Sequence, residues 1–139
     1  MAIIIYLINT NLALGIYPVV GGFYSDVDNN TGIYIHTSKY DSFLDIYLKK
    51  ADTVGIYYLN FNTWPRPYSP NPDSYGYYAT WKGSATIDYY TTINYTGTVT
   101  LTFVDTTNKI VAGTFEFTAY NPKSKETISI TDGRFDVKN

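Results

Sequence analysis

Apolar and polar residues alternate along much of this chain, and the longest such pattern lies in residues 97–120. Val99, Leu101 and Phe103 alternate with threonines, and a second alternating run occupies residues 111–118. The two runs predict an antiparallel hairpin in which each strand has one apolar face. Those faces coincide in a register that pairs Val99 with Phe115, Leu101 with Gly113 and Phe103 with Val111.

Two turns follow from this pattern. The register places Asp105 opposite Lys109 and leaves residues 106–108 as a three-residue loop, with Asn108 in the left-handed conformation. A second hairpin is predicted at Asp132-Gly133, because this dipeptide is typical of two-residue turns and would pair Ile130 with Phe135.

Similar patterns predict strands in residues 33–37, 43–50, 54–61, 76–81 and 85–95. In residues 43–50, Leu44, Ile46 and Leu48 share one face, and Asp45, Tyr47 and Lys49 share the opposite one. About nine to ten strands are expected in total, too many for one twisted open sheet of this size. We therefore predict an all-β, single-domain chain over residues 1–139, folded as an antiparallel two-sheet sandwich or a flattened barrel.

Residues 1–20 carry no charged side chain, and the runs 2–8 and 12–20 are apolar on both faces. They predict an N-terminal strand or arm, which is either a central strand of the chain's own sheet or a strand that pairs with the edge of a neighbouring subunit. A membrane span needs about 20 apolar residues, but polar residues 9–11 interrupt the run. A signal peptide should begin with a positive segment, which this sequence lacks, so neither feature is predicted.

Charge and cysteine content exclude several classes of function. The net charge of -2 provides no basic field for a nucleic-acid backbone and disfavours an anionic membrane surface. The chain has no cysteine, which excludes disulfides, thiolate nucleophiles and cysteine-ligated metals. Its 16 tyrosines and many threonines favour strands over helices.

The most informative functional feature is a proline-rich, aromatic segment. Residues 62–75 contain four of the six prolines, and proline cannot donate to a strand ladder, so we predict a surface loop there. Aromatic rings in and after this loop offer flat faces on which pyranose rings stack. The alternative is that these rings face the core or mark a protein interface. The candidate ligand-binding residues are Trp64, Tyr68, Tyr75, Tyr77, Tyr78 and Trp81.

Patterns for catalysis or metal binding are weak. His36 is the single histidine, and without a nucleophile-elbow motif it is interpreted as a surface or barrel-wall residue. Asp26, Asp28 and Asn30 have the spacing of a calcium loop, but the glycine and glutamate that such a loop needs are out of place, which favours a polar turn. The carboxylates available for glycoside hydrolysis are expected to point outward, unpaired, at Asp45, Asp88, Glu116 and Asp136. No catalytic residue, cofactor or metal is predicted.

The last third of the chain resembles a known family. The segments GTVTLT, DTTN, IVAGTFEFTA and ETISITDGRFD, within residues 83–136, are similar to an uncharacterised β-sandwich domain of secreted proteins and lipoproteins in Bacteroidota. That family's pattern is Gly-x-Val-x-Ile-Thr, Asp-x-x-Asn, Gly-Thr-Phe-x-Phe-x-Ala and Thr-x-Gly-x-Phe. A looser similarity in strand spacing extends back to about residue 21. The resemblance implies an extracellular or cell-envelope setting and brings no catalytic residues.

Two hypotheses of function follow. The first is a non-catalytic, extracellular or cell-surface module that binds a glycan or surface protein through the aromatic residues of segment 62–81. The alternative is a structural subunit of a surface assembly or filament, a homo-oligomer joined through residues 1–20.

Overall fold

The computed structural model describes residues 2–8, 20–27, 30–39, 42–64 and 73–138, with side chains described at 32–36, 42–64 and 73–136. Within these ranges the chain forms ten strands and no helix. The strands are β1 (Ala2–Ile8), β2 (Val20–Val27), β3 (Asn30–Lys39), β4 (Ser42–Lys49), β5 (Gly55–Leu59), β6 (Tyr75–Lys82), β7 (Ala85–Tyr90), β8 (Gly97–Asp105), β9 (Ile110–Tyr120) and β10 (Thr127–Lys138).

All described strands belong to one hydrogen-bonded sheet. Its path is β1-β10-β9-β7-β6-β4-β3-β2, with β8 paired to β9 and β5 paired to β8 beside that path. The β1–β10 ladder is parallel and the other described ladders are antiparallel. The predicted all-β class is confirmed, whereas two separate sheets are not.

One pair of residues connects two groups of strands. Ladders of several residue pairs join β2, β3, β4, β6 and β7 to one another. Equally long ladders join β1, β10, β9, β8 and β5. Between the groups, β7 meets β9 at the single pair Tyr90–Tyr120, so strand pairing between the two groups is limited to one residue pair.

Apolar side chains from both groups form one buried cluster. Alternate residues of a strand point to opposite faces, so the apolar residues of each strand reach the cluster from one face. Burying each such side chain contributes about 1.5–3 kcal/mol. The cluster consists of Ile33, Ile35, Leu44, Ile46, Leu48, Ala51, Leu59, Tyr89, Val99, Leu101, Val111, Phe115, Phe117, Ala119, Ile128, Ile130 and Phe135.

The β8–β9 hairpin follows the predicted register only in its first half. Val99 pairs with Phe115 and Leu101 with Gly113, as predicted, but a bulge then shifts Phe103 opposite Ala112. The extra residue in β8 reverses the alternation, so Phe103 points outward and Val104 packs against the core. The turn covers residues 106–109 instead of 106–108, and its left-handed residue is Lys109, with a φ of 55°.

The hairpin predicted at Asp132-Gly133 is wrong. β10 runs through both residues and stays paired with β9, with a bulge between Ile130 and Gly133. Asp132 adopts a left-handed φ of 54°, which a bulge can use as well as a turn. The bulge adds one residue and thereby keeps Ile130 and Phe135, five positions apart, on the same apolar face.

The remaining strand predictions agree with the structure only in part. The strands predicted in residues 33–37 and 43–50 are present as β3 and β4, which pair as an antiparallel hairpin with Ile35 opposite Ile46. β7 ends at Tyr90, so the long strand predicted over residues 85–95 is too long. β1 pairs with β10 inside the chain and has no second neighbour among the described strands, while residues 9–19 lie outside the described residues.

Candidate functional site

The candidate site lies on the face of β3, β4, β6 and β7 that points away from the main core. His36 is opposite Asp45, Asp45 opposite Tyr77, and Tyr77 opposite Tyr90. Residues paired across neighbouring strands share a face, so these four side chains form one row across four strands. We call this surface the tyrosine face, which comprises Tyr34, His36, Phe43, Asp45, Tyr47, Tyr75, Tyr77, Ala79, Trp81, Thr86, Asp88 and Tyr90 together with Trp64.

A histidine–aspartate pair begins the row. The Nδ1 atom of His36 is hydrogen-bonded to the Oδ1 atom of Asp45. Asp45 is only 1% exposed, whereas the imidazole remains partly exposed. The ring of Tyr34 is nearly parallel to that of His36, with the ring centroids 6.1 Å apart. A buried carboxylate therefore holds a solvent-accessible imidazole in one orientation.

A tyrosine–aspartate pair, Tyr77 with Asp88, lies next to the histidine–aspartate pair on the same face. The hydroxyl of Tyr77 donates a hydrogen bond of 2.5 Å to Asp88, and Thr86 donates one of 3.1 Å to the other carboxylate oxygen. Burial and the hydrogen bond to Asp88 raise the pKa of Tyr77 well above its ordinary value. Burial, with the nearby Asp88 charge, raises the pKa of Tyr90 to about 12. Both phenols therefore stay neutral at physiological pH and can donate hydrogen bonds.

Aromatic rings surround these polar groups. The ring of Tyr90 lies 5.2 Å from that of Tyr77, and Trp64 meets Tyr90 edge-on at 5.6 Å. The ammonium of Lys123 lies 5.7 Å from the centre of the Trp64 ring, within the range of a cation–π contact. Trp64 is 38% exposed and Trp81 50% exposed, so these two indoles present apolar surface to solvent.

The sequence-predicted ligand-binding residues fall into three groups. Trp64 and Trp81 are exposed, and Tyr75 and Tyr77 are buried on the tyrosine face. Tyr78 lies on the opposite side of β6, where it packs against the main core. Tyr68 lies outside the described residues, as does most of the predicted loop 62–75. The structure thus brings Trp64, Tyr75, Tyr77 and Trp81 to one face and separates Tyr78 from them.

Sequence reasoning missed the central polar residue of this face. Asp45 was expected to point outward to solvent, and it does lie on the face opposite Leu44 and Ile46, but it is buried. The error arises because that face is covered by a second cluster of aromatic residues. A signal was present, since pairing the apolar residues of β3 with those of β4 places His36 opposite Asp45.

The arrangement can orient a ligand through fixed hydrogen bonds. Asp45 and Asp88 lie on the same face on β4 and β7, with Tyr77 between them. In the described part of the chain, no three histidine or acidic side chains come together as a metal site. Asp26 lies in β2 and Asn30 begins β3, while Asp28 of the predicted polar turn is outside the described residues. The described residues also contain no helix long and apolar enough to cross a membrane.

These features define an all-β domain whose most elaborate surface is a polar and aromatic sheet face. The chain belongs to the family described as a domain of unknown function (DUF6252), whose model matches residues 22–137. No curated protein and no solved structure matches the chain. The match begins within β2, at residue 22, and ends one residue before the end of β10, so it contains β3 to β9 completely. The tyrosine face therefore lies inside the family domain.

Proposed function

We propose that this protein is a non-catalytic binding module of the cell surface or extracellular space that binds a neutral glycan on the tyrosine face. The observation that carries the proposal is the position of hydrogen-bonded polar groups beside exposed indoles. Trp81 of β6 pairs directly with Thr86 of β7, and Asp88, two positions further along β7, lies on the same face opposite Ala79. Sugars are commonly bound by rings that stack on their apolar faces and by polar groups that fix their hydroxyls.

The charges of this face favour a neutral ligand. Asp88 contributes a half-buried carboxylate that can accept hydrogen bonds from hydroxyl groups, and the Asp45 carboxylate lies buried beneath the same face. Of the lysines at its border, Lys49 is paired with Asp73 at 3.3 Å and Lys123 lies over Trp64. An acidic polysaccharide would approach two carboxylates with little compensating charge, whereas a neutral one would not be repelled.

The test is a titration with soluble neutral polysaccharides, namely glucans, mannans and galactans, followed by tryptophan fluorescence and isothermal calorimetry. Trp81→Ala should weaken binding at least about tenfold, or about 1.4 kcal/mol. Asp88→Asn should weaken binding as well, because the amide cannot accept hydrogen bonds on both of its polar atoms. Ile93→Ala is the matched control, since Ile93 is also an exposed apolar residue but lies in the turn after β7.

Two results would contradict glycan binding at this face. One is the absence of binding to every neutral polysaccharide by the folded wild-type protein. The other is equal weakening by Trp81→Ala and Ile93→Ala. A uronic or sulfated polysaccharide serves as the anionic comparison, and preferential binding to it would contradict the proposed neutral class.

We also propose that the two strand groups are two packed layers of a sandwich. This is supported by the shared buried cluster and by the single residue pair that links the groups. A sandwich would place the tyrosine face on the outside of one layer. The resemblance to a Bacteroidota family of secreted proteins and lipoproteins agrees with the proposed setting, and secretion assays of the full-length native protein would test it.

The second candidate function is a structural subunit of a surface assembly. It is favoured by the position of β1, which ends the strand path and whose sequence is uncharged throughout. Edge strands of this kind template pairing with another chain. Deleting residues 1–10 should then leave a folded monomer, and loss of folding in that truncation would contradict this candidate.

A further inference from the structure

A second surface has a different chemistry from the tyrosine face. It is the outward side of β5, β8, β9 and β10, and we call it the threonine face. Residues paired across the neighbouring strands form rows on this face. One row is Ile56, Thr100, Thr114 and Arg134, and the next is Tyr58, Thr98 and Glu116. Phe103, displaced outward by the β8 bulge, lies opposite Ala112 in a third row.

Apolar side chains are unusually exposed at one end of this face. Ile56 is 61%, Tyr58 66% and Phe103 49% exposed. β5 pairs only with β8 among the described strands and carries no charged residue. A contiguous apolar patch of this kind, bordered by polar residues, is typical of protein interaction sites.

The other end is charged. A groove of about 490 Å³ is lined by threonines and by Glu116, Asp132 and Arg134. Neither Glu116 nor Arg134 has an ion-pair partner within the residues that the structure describes. Glu116 and Arg134 are therefore diagonal neighbours across β9 and β10, since Arg134 pairs with Thr114, and each has free capacity for a charge-assisted hydrogen bond.

We propose that the threonine face is the interface of a symmetric dimer with a second copy of this chain, in which Arg134 of each copy pairs with Glu116 of the other. In a two-fold interface, if one residue contacts another, the reverse contact also forms. Because Glu116 and Arg134 lie on the same face, two copies can meet through this one surface with Arg134 of each copy opposite Glu116 of the other. The interface does not depend on glycan binding, and it uses a different face.

The same symmetry accounts for the apolar residues. Strands lie about 4.8 Å apart, and side chains on one face repeat about every 6.8 Å along a strand. On such a grid, the two-fold axis that exchanges Arg134 with Glu116 passes close to Thr114. It also brings Ile56 over the partner's Phe103, so the exposed apolar residues are buried in the same contact.

Charge reversal tests the reciprocal pairing by sedimentation velocity across a wide concentration range. E116R and R134E should each raise the dimer dissociation constant more than about a hundredfold, because each places like charges opposite one another. The double variant E116R/R134E should dimerise as the wild type does. An equimolar mixture of the two single variants should form a heterodimer, since both of its contacts then join an arginine to a glutamate.

The control is E126R, an equal charge change at an exposed residue outside this face, which should leave the dimer intact. Circular dichroism checks the fold of each variant. Should a reversal unfold the chain, T114E replaces it, because an exposed glutamate near the axis would face its own copy. A monomeric wild type, dimers that persist in both single variants or in T114E, or single variants that dissociate but do not associate when mixed would each overturn the proposal.

Discussion

At the residue scale, the stability of the protein should be sensitive to substitution of the His36–Asp45 pair. His36→Ala leaves the Asp45 carboxylate buried without its partner, and we expect the free energy of unfolding to fall by about 1–3 kcal/mol, because the imidazole side of the pair is partly exposed. Asp45→Asn in the His36→Ala background should recover part of this loss, because an amide costs less to bury than a carboxylate. Urea denaturation of the three variants measures both effects. Equal stability of the single and double variants would show that Asp45 is not held as a buried charge.

The buried tyrosines predict a loss of stability in alkali. A tyrosine ionises at about pH 10 in the unfolded chain, whereas in the folded chain the pKa of Tyr90 is about 12 and that of Tyr77 is also raised. The folded state therefore retains protons that the unfolded state loses. Their contribution is complete below pH 10 and declines as the pH rises toward the folded pKa, by up to about 1.4 kcal/mol per pH unit for each tyrosine.

The measurement is the free energy of unfolding in urea at a series of pH values above neutrality, with tyrosinate absorbance recorded in parallel. Tyr90→Phe should make the alkaline decline shallower, because the variant lacks one phenol that ionises only on unfolding. Identical slopes for wild type and Tyr90→Phe would contradict the raised pKa.

The sequence allowed prediction of which residues lie in strands and on which face of the strand, but not of which side chains surround them. Alternation placed Asp45 on the face away from Leu44 and Ile46 correctly. It could not show that Tyr75, Tyr77 and Tyr90 cover that face, because this depends on which strands become neighbours. The position of Trp81 beside Asp88 likewise arises from the β6–β7 register and has no signature in either strand alone.

At the scale of elements, the β10 bulge depends on Gly133. A Cβ atom there would lie 2.5 Å from the ring of Phe115, which itself packs against Phe117 and Phe135. Gly133→Ala should therefore cost about 1–3 kcal/mol through overpacking. Phe115→Leu should be less damaging in the Gly133→Ala background than in the wild type. Thermal and urea denaturation give the coupling, and strictly additive losses would contradict a steric cause.

The β8–β9 turn is organised by Asp105. Its carboxylate accepts hydrogen bonds from the backbone N–H groups of Thr107 and Asn108 and from the Asn108 side chain. The hydrogen bonds from Asn108 are the main cause of its lowered pKa. A lowered folded pKa means that this turn stabilises the protein above the unfolded pKa and loses that contribution as the pH falls through the folded value.

Carbon-detected NMR titration should place the pKa of Asp105 below the value of about 3.9 for an unperturbed aspartate. Asn108→Ala should raise it toward that value, because the side-chain hydrogen bond is lost while the backbone one remains available. A pKa unchanged by Asn108→Ala would assign the shift to another cause.

Both errors in the predicted hairpins have one physical origin. A bulge changes the parity of a strand, and neither Thr102 in β8 nor Asp132 in β10 carries a residue signal that distinguishes a bulge from regular pairing or from a turn. Asp132-Gly133 tolerates a left-handed residue in either setting. Continuing β10 along β9 buries Ile128, Ile130 and Phe135 together, and that long-range gain lies beyond a local pattern.

At the scale of the whole molecule, the two strand groups are held together mainly by side-chain packing, because few backbone hydrogen bonds join them. The two strand groups meet at the single pair Tyr90–Tyr120. Next to the strands, the backbone N–H groups of Asn60 and Phe61, after β5, also donate hydrogen bonds to the carbonyl of Ser74, before β6.

Side chains pack between the groups as well, and Gly76 of β6 lies close to β9. A Cβ atom at this glycine would lie 3.1 Å from the Phe117 ring of β9. Phe117 is packed in the buried cluster and has little room to move, so Gly76→Ala should destabilise the protein by pressing the groups apart.

Because the core cluster draws on both groups, we expect the molecule to unfold as one unit. Trp81 lies on β6, whereas Trp64 contacts both Tyr90 of β7 and Lys123 between β9 and β10. Tryptophan fluorescence therefore follows one group and its contact with the other, while far-ultraviolet circular dichroism follows all strands. The two transitions in urea should coincide in the wild type. They should still coincide in Gly76→Ala, at a lower midpoint, and Phe117→Leu should restore part of the loss by giving the new methyl group space. Separate transitions for the two probes would mean that each group folds on its own and that the shared core does not couple them.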